Sequence, residues 1–296
     1  MFSKAKIFIL SFMFLGSFAY GTLGYGWYDT GHMLIAQIAK ECCSDDVVKR
    51  VEQQLGYFHD DFPESSTFVT SACFADDIVP LGRSWHFITL PYDPDDILSQ
   101  EDVSRLMEVF KSSNVVTGID SAREALTDPN ASEWNKSIML RFLIHCVGDV
   151  HQPLHCCTRY SEQFPYGDKG GNHFKIKRSW AENLHALWDS ACSAAQKELY
   201  HRPLNEEDAE QIENIAQQIM TTYPLDGFSS YDDTDPAIWS EEAYRIATEV
   251  AHQDIAYDGE PSAEYLRRGE EASLRQIALA GYRLAKMLEK IYSEEK

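Results

Sequence analysis

The sequence predicts an all-α fold, a single and mostly helical domain. Three observations lead there. Long stretches carry apolar residues at helical spacing, only two short stretches read as strands, and no Pro/Gly/Ser-rich linker divides the 296 residues. That length suits one large domain or two small ones, and the absence of a linker selects one.

The elements follow in chain order. Ile7 to Tyr20 is an apolar run behind Lys4 and Lys6, and Gly24 and Gly26 place small residues just before Trp27. This is the pattern of a cleaved signal peptide over residues 1–26. A spanning helix needs about 20 apolar residues, more than this run supplies. No second such run follows. A soluble chain of residues 27–296 with no stable membrane anchor is therefore expected, secreted or held in the lumen of the secretory and endolysosomal pathway. Thr30 to Cys43 repeats apolar residues at Met33, Ile35, Ala36, Ile38 and Ala39, and Asp45 to Leu55 carries a similar stripe. Trp85 to Leu90 reads as a short strand. Ser132 to Val150 reads as a helix that Ser132 and Glu133 open and that Ile138, Leu140, Phe142, Leu143, Ile144 and Val147 line on one side. Gly167 to Asn172 is a Gly-rich loop, and His173 to Ile176 is the second short strand. Leu184 to Lys197, Glu206 to Thr221, Ile238 to Asp254 and Ala263 to Ser293 complete the helices.

Charge limits the partners. The formal net charge is −21, and loss of Lys4 and Lys6 moves it to −23. A protein that grips duplex DNA through phosphate neutralisation is basic. Any attraction to nucleic acid must here be local, and bound metal ions can supply it. Seven cysteines are present, at 42, 43, 73, 146, 156, 157 and 192. A secretory route permits disulfide bonds, and the odd count leaves at least one thiol without an intramolecular partner. Asn130-Ala-Ser132 and Asn135-Lys-Ser137 are glycosylation sequons.

The chemistry-bearing residues are histidines beside aspartates. His145 and Asp149 lie four apart on one helix face, and His185 and Asp189 repeat the spacing on another. Pro153 ends the first helix and turns His155 back towards the same region. A single such pair is ordinarily a surface hydrogen bond. Two pairs and a fifth donor point instead to zinc held between helices, since neutral imidazole and carboxylate are both zinc ligands. His145 also sits within an apolar run, where an unpaired polar group is costly. Asp76, His86, His32 and Trp27 read singly as a surface acid, a core histidine, a helix-start histidine and a core aromatic.

In order, these pieces are distinctive: Trp27-x4-His32, Ala75-Asp76, Trp85-His86-Phe87, Arg141-Phe-Leu-x-His145-x3-Asp149-x2-Gln-Pro-Leu-His155, Gly170-Gly-Asn172 and Asn183-Leu-His185-x3-Asp189. The chain resembles the class I nucleases, the zinc-dependent single-strand nucleases and 3′-nucleotidases of fungi, plants and protists, with Trp85 to Pro94 nearer to the protist members. The resemblance implies a fold related to zinc phospholipase C. It also implies three zinc ions held by Trp27, His32, Asp76, His86, His145, Asp149, His155, His185 and Asp189. In that scheme Asp76, His86, His145 and Asp149 surround one zinc and His155, His185 and Asp189 the second. The Trp27 amine and carbonyl, His32 and Asp149 hold the third. Asp76 and Asp149 are the implied catalytic carboxylates, and Phe87 and Asn172 the implied substrate contacts. Single-stranded DNA and RNA and 3′-nucleotides are the expected substrates, cleaved to 5′-phosphate products by a monomer without a protein partner. Tyr28, Val79 and Thr89 depart from the family pattern. The alternative is a phospholipase C acting on phospholipid head groups, against which the Gly-Gly-Asn loop and the Asn183-Leu-His185 run weigh.

Overall fold

The computed structural model describes residues 27–78, 82–195 and 200–293. The expectations for residues 1–26 and for Val79 lie outside these residues. Helices dominate: α1 (Asp29–Cys42), α2 (Asp45–Leu55), the single turns α3 (Phe68–Ser71) and α4 (Phe74–Asp77), α5 (Gln100–Lys111), α6 (Val115–Thr127), α7 (Glu133–Asp149), α8 (Leu184–Asp189), α9 (Glu206–Thr222), α10 (Pro236–Ile246) and α11 (Ala263–Ser293). β1 (Pro91–Tyr92) pairs in parallel with β2 (Thr158–Arg159), and β3 (Lys175–Arg178) pairs antiparallel with β4 (Ala181–Asn183). The all-α expectation holds.

Every residue of α1 from Thr30 to Ala39 is buried. A helix buried all round occupies the centre, and α1 lies against α11, α9, α3 and α7. The 31 residues of α11 span about 46 Å at 1.5 Å each. Gly281 lets α11 approach α1 closely, because a Cβ there would stand 2.5 Å from Ile38 Cγ2. α7 opens as expected: the Ser132 side chain accepts from Asn135 N–H. Its buried residues run from Leu140 to Asp149 without a break, so its last turns are core on every side. Among the described residues no helix is long and apolar enough to cross a membrane.

Several expectations need correction. Trp85 to Leu90 is not a strand. Gly82 begins a 3-10 turn at φ 72°, Arg83–His86 completes it, and only then does the chain extend. Gly82 is required there because a Cβ would meet the Phe142 ring at 2.7 Å. The strand expected over His173 to Ile176 begins instead at Lys175, because Phe174 N–H is used to close a turn onto Gly171 O. The helix from Leu184 stops at Asp189, not Lys197. Ala191, Cys192 and Ser193 turn left-handed, and Cys192 packs where Gly269 of α11 leaves room. The helix expected from Ile238 starts at Pro236, capped by Asp235, and beyond Ile246 it widens into a π-helical turn, Ala247–Ala251. α5 and α6 were not expected from the apolar pattern. α5 buries none of its residues, and α6 opens on β-branched residues and contains Gly118.

The seven cysteines form no disulfide. Five are buried in the packing, and the Cys73, Cys43 and Cys156 thiols point to the carbonyls of Asp29, Ala285 and Val150. Asn130 is exposed, whereas the Asn135 sequon lies in the first turn of α7. Its Ser137 is fully buried and bonded to Arg141.

Candidate metal centre

The end of α7 organises the site. Asp149 is the last residue of that helix and is fully buried. A carboxylate at a helix C-terminus faces the negative end of the macrodipole, so its position needs positive charge nearby. Four imidazoles surround it. His145 Nε2 lies 2.9 Å from its Oδ2, His86 Nδ1 3.0 Å, His32 Nε2 3.4 Å from Oδ1, and His155 Nδ1 3.6 Å. Burial opposes charge on Asp149, but His145 and His155 outweigh it and hold the carboxyl well below the usual range. Burial pushes His32 down to about 4 and His155 to about 3. His145 goes the other way: burial opposes its charge, yet Asp149 and Asp76 raise it to about 9.

Each element supplies its donor for a local reason. The i,i+4 spacing on α7 brings His145 over Asp149, as the sequence predicts. His32 on the first turns of α1 stacks on His145 with ring centroids 4.0 Å apart. It reaches that place because α7 has Gly148 there: a Cβ would lie 2.7 Å from His32 Nδ1. Asp76, on the single turn α4, stands 3.5 Å from His86 Nδ1 and 3.7 Å from His145 Nε2. Pro153 starts a 3-10 turn after α7, and that turn returns His155 to the cluster. α8 presents His185 with its Nε2 3.5 Å from Asp189 Oδ2, and His155 Nε2 is 3.9 Å from Asp189 Oδ1. Trp27 is fully buried beside this group. Its indole donates to Gly148 O at 3.1 Å, and the next residue's N–H donates to Asp189 O at 3.0 Å.

Three of the histidines share one device. Nδ1 of His145 lies 2.6 Å from Ala72 O, that of His155 2.6 Å from His86 O, and that of His185 2.6 Å from Gly170 O. A carbonyl only accepts, so each Nδ1 carries a proton and Nε2 is the atom left to face a metal; in His145, which Asp149 and Asp76 favour in its charged form, a bound metal would take the place of the Nε2 proton. That is the arrangement in which an imidazole binds a metal.

Donor atoms fall into three groups, each within 4.8 Å: His32, Asp76 and His145; His86, His145 and Asp149; His155, His185 and Asp189. All eight side chains predicted as ligands are thus brought together. Several donors have no hydrogen-bond partner although buried: both nitrogens of His32, His155 Nε2, Asp76 Oδ1 and Asp149 Oδ1. Leaving one such atom unsatisfied costs about 1–3 kcal/mol. Divalent cations among these atoms would satisfy the carboxylate oxygens, His155 Nε2 and one nitrogen of His32, so the residues fit the implied metals.

Two residues near the centre escaped the sequence reading. Gln152 is fully buried and clamps Asp189, its Nε2 donating to Oδ1 at 2.5 Å while its Oε1 accepts from Leu154 N–H at 2.6 Å. It stands inside the Gln-Pro-Leu-His155 motif, the one signal that marked it. Gly148 carried no signal in the pattern. His151 lies outside the cluster, its Nδ1 donating to Val147 O and its Nε2 accepting from Arg283. Phe87 is half-buried in the extended segment after His86, and Asn172 is half-buried with its amide donating to Lys169 O.

Comparison with known proteins agrees with this geometry. A family model described as S1/P1 nuclease matches residues 27–293. The chain is 26% identical to Endonuclease 2 of Arabidopsis thaliana over 90% of its own length and 91% of the relative's. It is 26% identical to Nuclease S1 of Aspergillus oryzae, covering 93% and 95% of the two chains. To Nuclease P1 of Penicillium citrinum it is 25% identical, covering 91% and 99%. With a family match that runs from the buried Trp27 to the last described turn of α11, the chain belongs to the S1/P1 nuclease family and is a nuclease.

Proposed function

We propose that the chain is a zinc-dependent phosphoesterase that cuts single-stranded DNA and RNA to 5′-phosphate products and removes phosphate from 3′-nucleotides. One observation carries the reading: three abutting groups of His and Asp donors around a buried, anionic Asp149. The ligand set is Trp27, His32, Asp76, His86, His145, Asp149, His155, His185 and Asp189, holding three zinc ions. Zinc bound there would lower the pKa of a water towards neutrality and offset charge on the phosphate and the departing 3′-oxygen. The protein's part is orientation. The carbonyls of Ala72, His86 and Gly170 fix the imidazoles, and Gln152 fixes Asp189. Asp76, with a side chain 23% exposed, is the only carboxylate of the set that solvent reaches. Phe87 is proposed as the surface on which a base stacks and Asn172 as a polar contact to the substrate; a stacked ring accepts any base. The functional unit is the single domain 27–296 of a secreted monomer released by cleavage after residue 26.

The test is direct. The purified protein is assayed for zinc per chain and for hydrolysis of 3′-AMP, single-stranded DNA and lecithin. Three zincs with turnover of the first two substrates support the proposal. Lecithin hydrolysis alone would replace it with a phospholipase C.

A further inference from the structure

The turn that carries Gly170 and Gly171 has a demanding backbone. Lys169, Gly170 and Gly171 have φ of 56°, 62° and 83°. Glycine adopts that region freely, but a residue with a side chain is strained there, and Lys169 is such a residue. Such a conformation persists only where the surroundings hold it.

Asp168 holds it. Its side chain is fully buried. Oδ1 accepts from Arg159 N–H at 2.9 Å. Its main chain donates to Arg159 O at 2.9 Å and accepts from His173 N–H at 2.9 Å. Oδ2 turns towards His252, 3.8 Å from Nε2, whose ring is seated between Tyr92 and Phe174. The start of the turn is therefore tied to Arg159 of β2 by both side chain and main chain, and it lies against a packed wall. What it delivers is the direction of one carbonyl. Gly170 O receives the Nδ1 proton of His185 at 2.6 Å, and no side chain fits at Gly170, where a Cβ would lie 2.5 Å from Leu154 O.

We infer that Asp168 is a positioning residue for His185, acting through the left-handed Lys169-Gly170-Gly171 turn. It belongs to none of the three donor groups. It sets the carbonyl that sets the imidazole. The inference rests on the reading of His185 as a zinc ligand.

Zinc retention tests it without any substrate. Wild type, Asp168→Ala, Asp168→Asn and the double variant Asp168→Ala with Lys169→Gly are titrated with chelator, with circular dichroism to verify folding. Loss of a group that orients a metal ligand typically weakens metal binding 10–100-fold. Asp168→Ala is expected to release one zinc at a chelator concentration at least about tenfold below wild type, with the other two retained. Its kcat on 3′-AMP should fall about as much, with KM little changed. Asp168→Asn keeps one acceptor and should lie between the two. Adding Lys169→Gly removes the left-handed penalty and should restore part of the loss. A purely structural role would loosen all three zincs alike and show no rescue by Lys169→Gly, and that result overturns the inference. Should Asp168→Ala not fold, wild-type retention in Asp168→Asn overturns it equally. A wild-type chain that binds no zinc would instead overturn the metal reading beneath it.

Discussion

Gly148→Ala should weaken one metal site while leaving the chain folded. The added Cβ would lie 2.7 Å from His32 Nδ1, 3.0 Å from His32 Cε1 and 3.3 Å from Ile35 Cδ1. His32 has little room to yield, because its other face stacks on His145 at 4.0 Å. Two effects compete. Alanine in a helix interior gains about 0.5–1 kcal/mol over glycine. Overpacking a tight contact costs about 1–3 kcal/mol. The contacts fall well under ordinary van der Waals distance, so overpacking wins, by about 1–2 kcal/mol. For a chain of this size each kcal/mol moves the melting temperature by about 2–4 °C. The metal-free variant should therefore melt about 2–8 °C below the metal-free wild type. The displaced imidazole should cost the zinc that His32 holds, with activity on 3′-AMP down about tenfold or more. Metal analysis, calorimetry and a phosphate-release assay check the three parts. A variant with full zinc and the wild-type rate would refute the claim that Gly148 makes the seat for His32.

Further expectations follow from the same geometry. Chelation should abolish activity and lower the melting temperature together, since a site with free zinc at 1,000 times its Kd adds about 4 kcal/mol; an unchanged melting temperature in EDTA would break that link. One extra alanine before Trp27 should cost one zinc and most of the activity, because an amide nitrogen is a poor donor where a free amine is a good one; full zinc content in that variant would remove the terminal amine from the ligand set. Burial lowers His252 to about 3, so the unfolded chain takes up a proton near pH 6.5 that the folded chain refuses. Stability should therefore fall as pH drops from 6.5 towards 3, and the slope should flatten in His252→Gln, as read by melting temperature against pH in the chelated protein. Single strands should be cut faster than matched duplex at moderate salt, since a chain of net charge −21 lacks the basic surface that a duplex backbone requires; equal rates would count against the proposed substrate.

What the sequence revealed depended on how local the cause was. His145 with Asp149, and His185 with Asp189, were legible because one helical turn sets their separation. Pro153 made the return of His155 legible as well. The turn at Gly82 was not, because its need comes from the Phe142 ring, distant in sequence. α6 was hidden for a similar reason. Its Gly118 looks like a helix breaker, yet it is the place where the Trp85 ring lies against the helix, 2.8 Å from a notional Cβ. Gly148 follows the same rule: its role exists only once α1 and α7 have packed. Ligand types and spacings are written in side chains, whereas the surfaces that aim them arise from contacts between segments far apart in the chain.

The carbonyls that grip His145, His155 and His185 have a consequence for how such a centre persists. A carbonyl belongs to every residue type. Substituting Ala72, or altering the side chain at most positions around it, leaves the acceptor in place provided the backbone path survives. Among these three acceptors Gly170 is tied to residue identity by its left-handed φ and its approach to Leu154 O, and His86 by its own ring, whereas Ala72 is not. Orientation of the imidazoles is thus stored in the course of the main chain, where point substitutions reach it only indirectly. Such a store leaves the side chains around the three carbonyls free to change without disturbing the aim of the imidazoles.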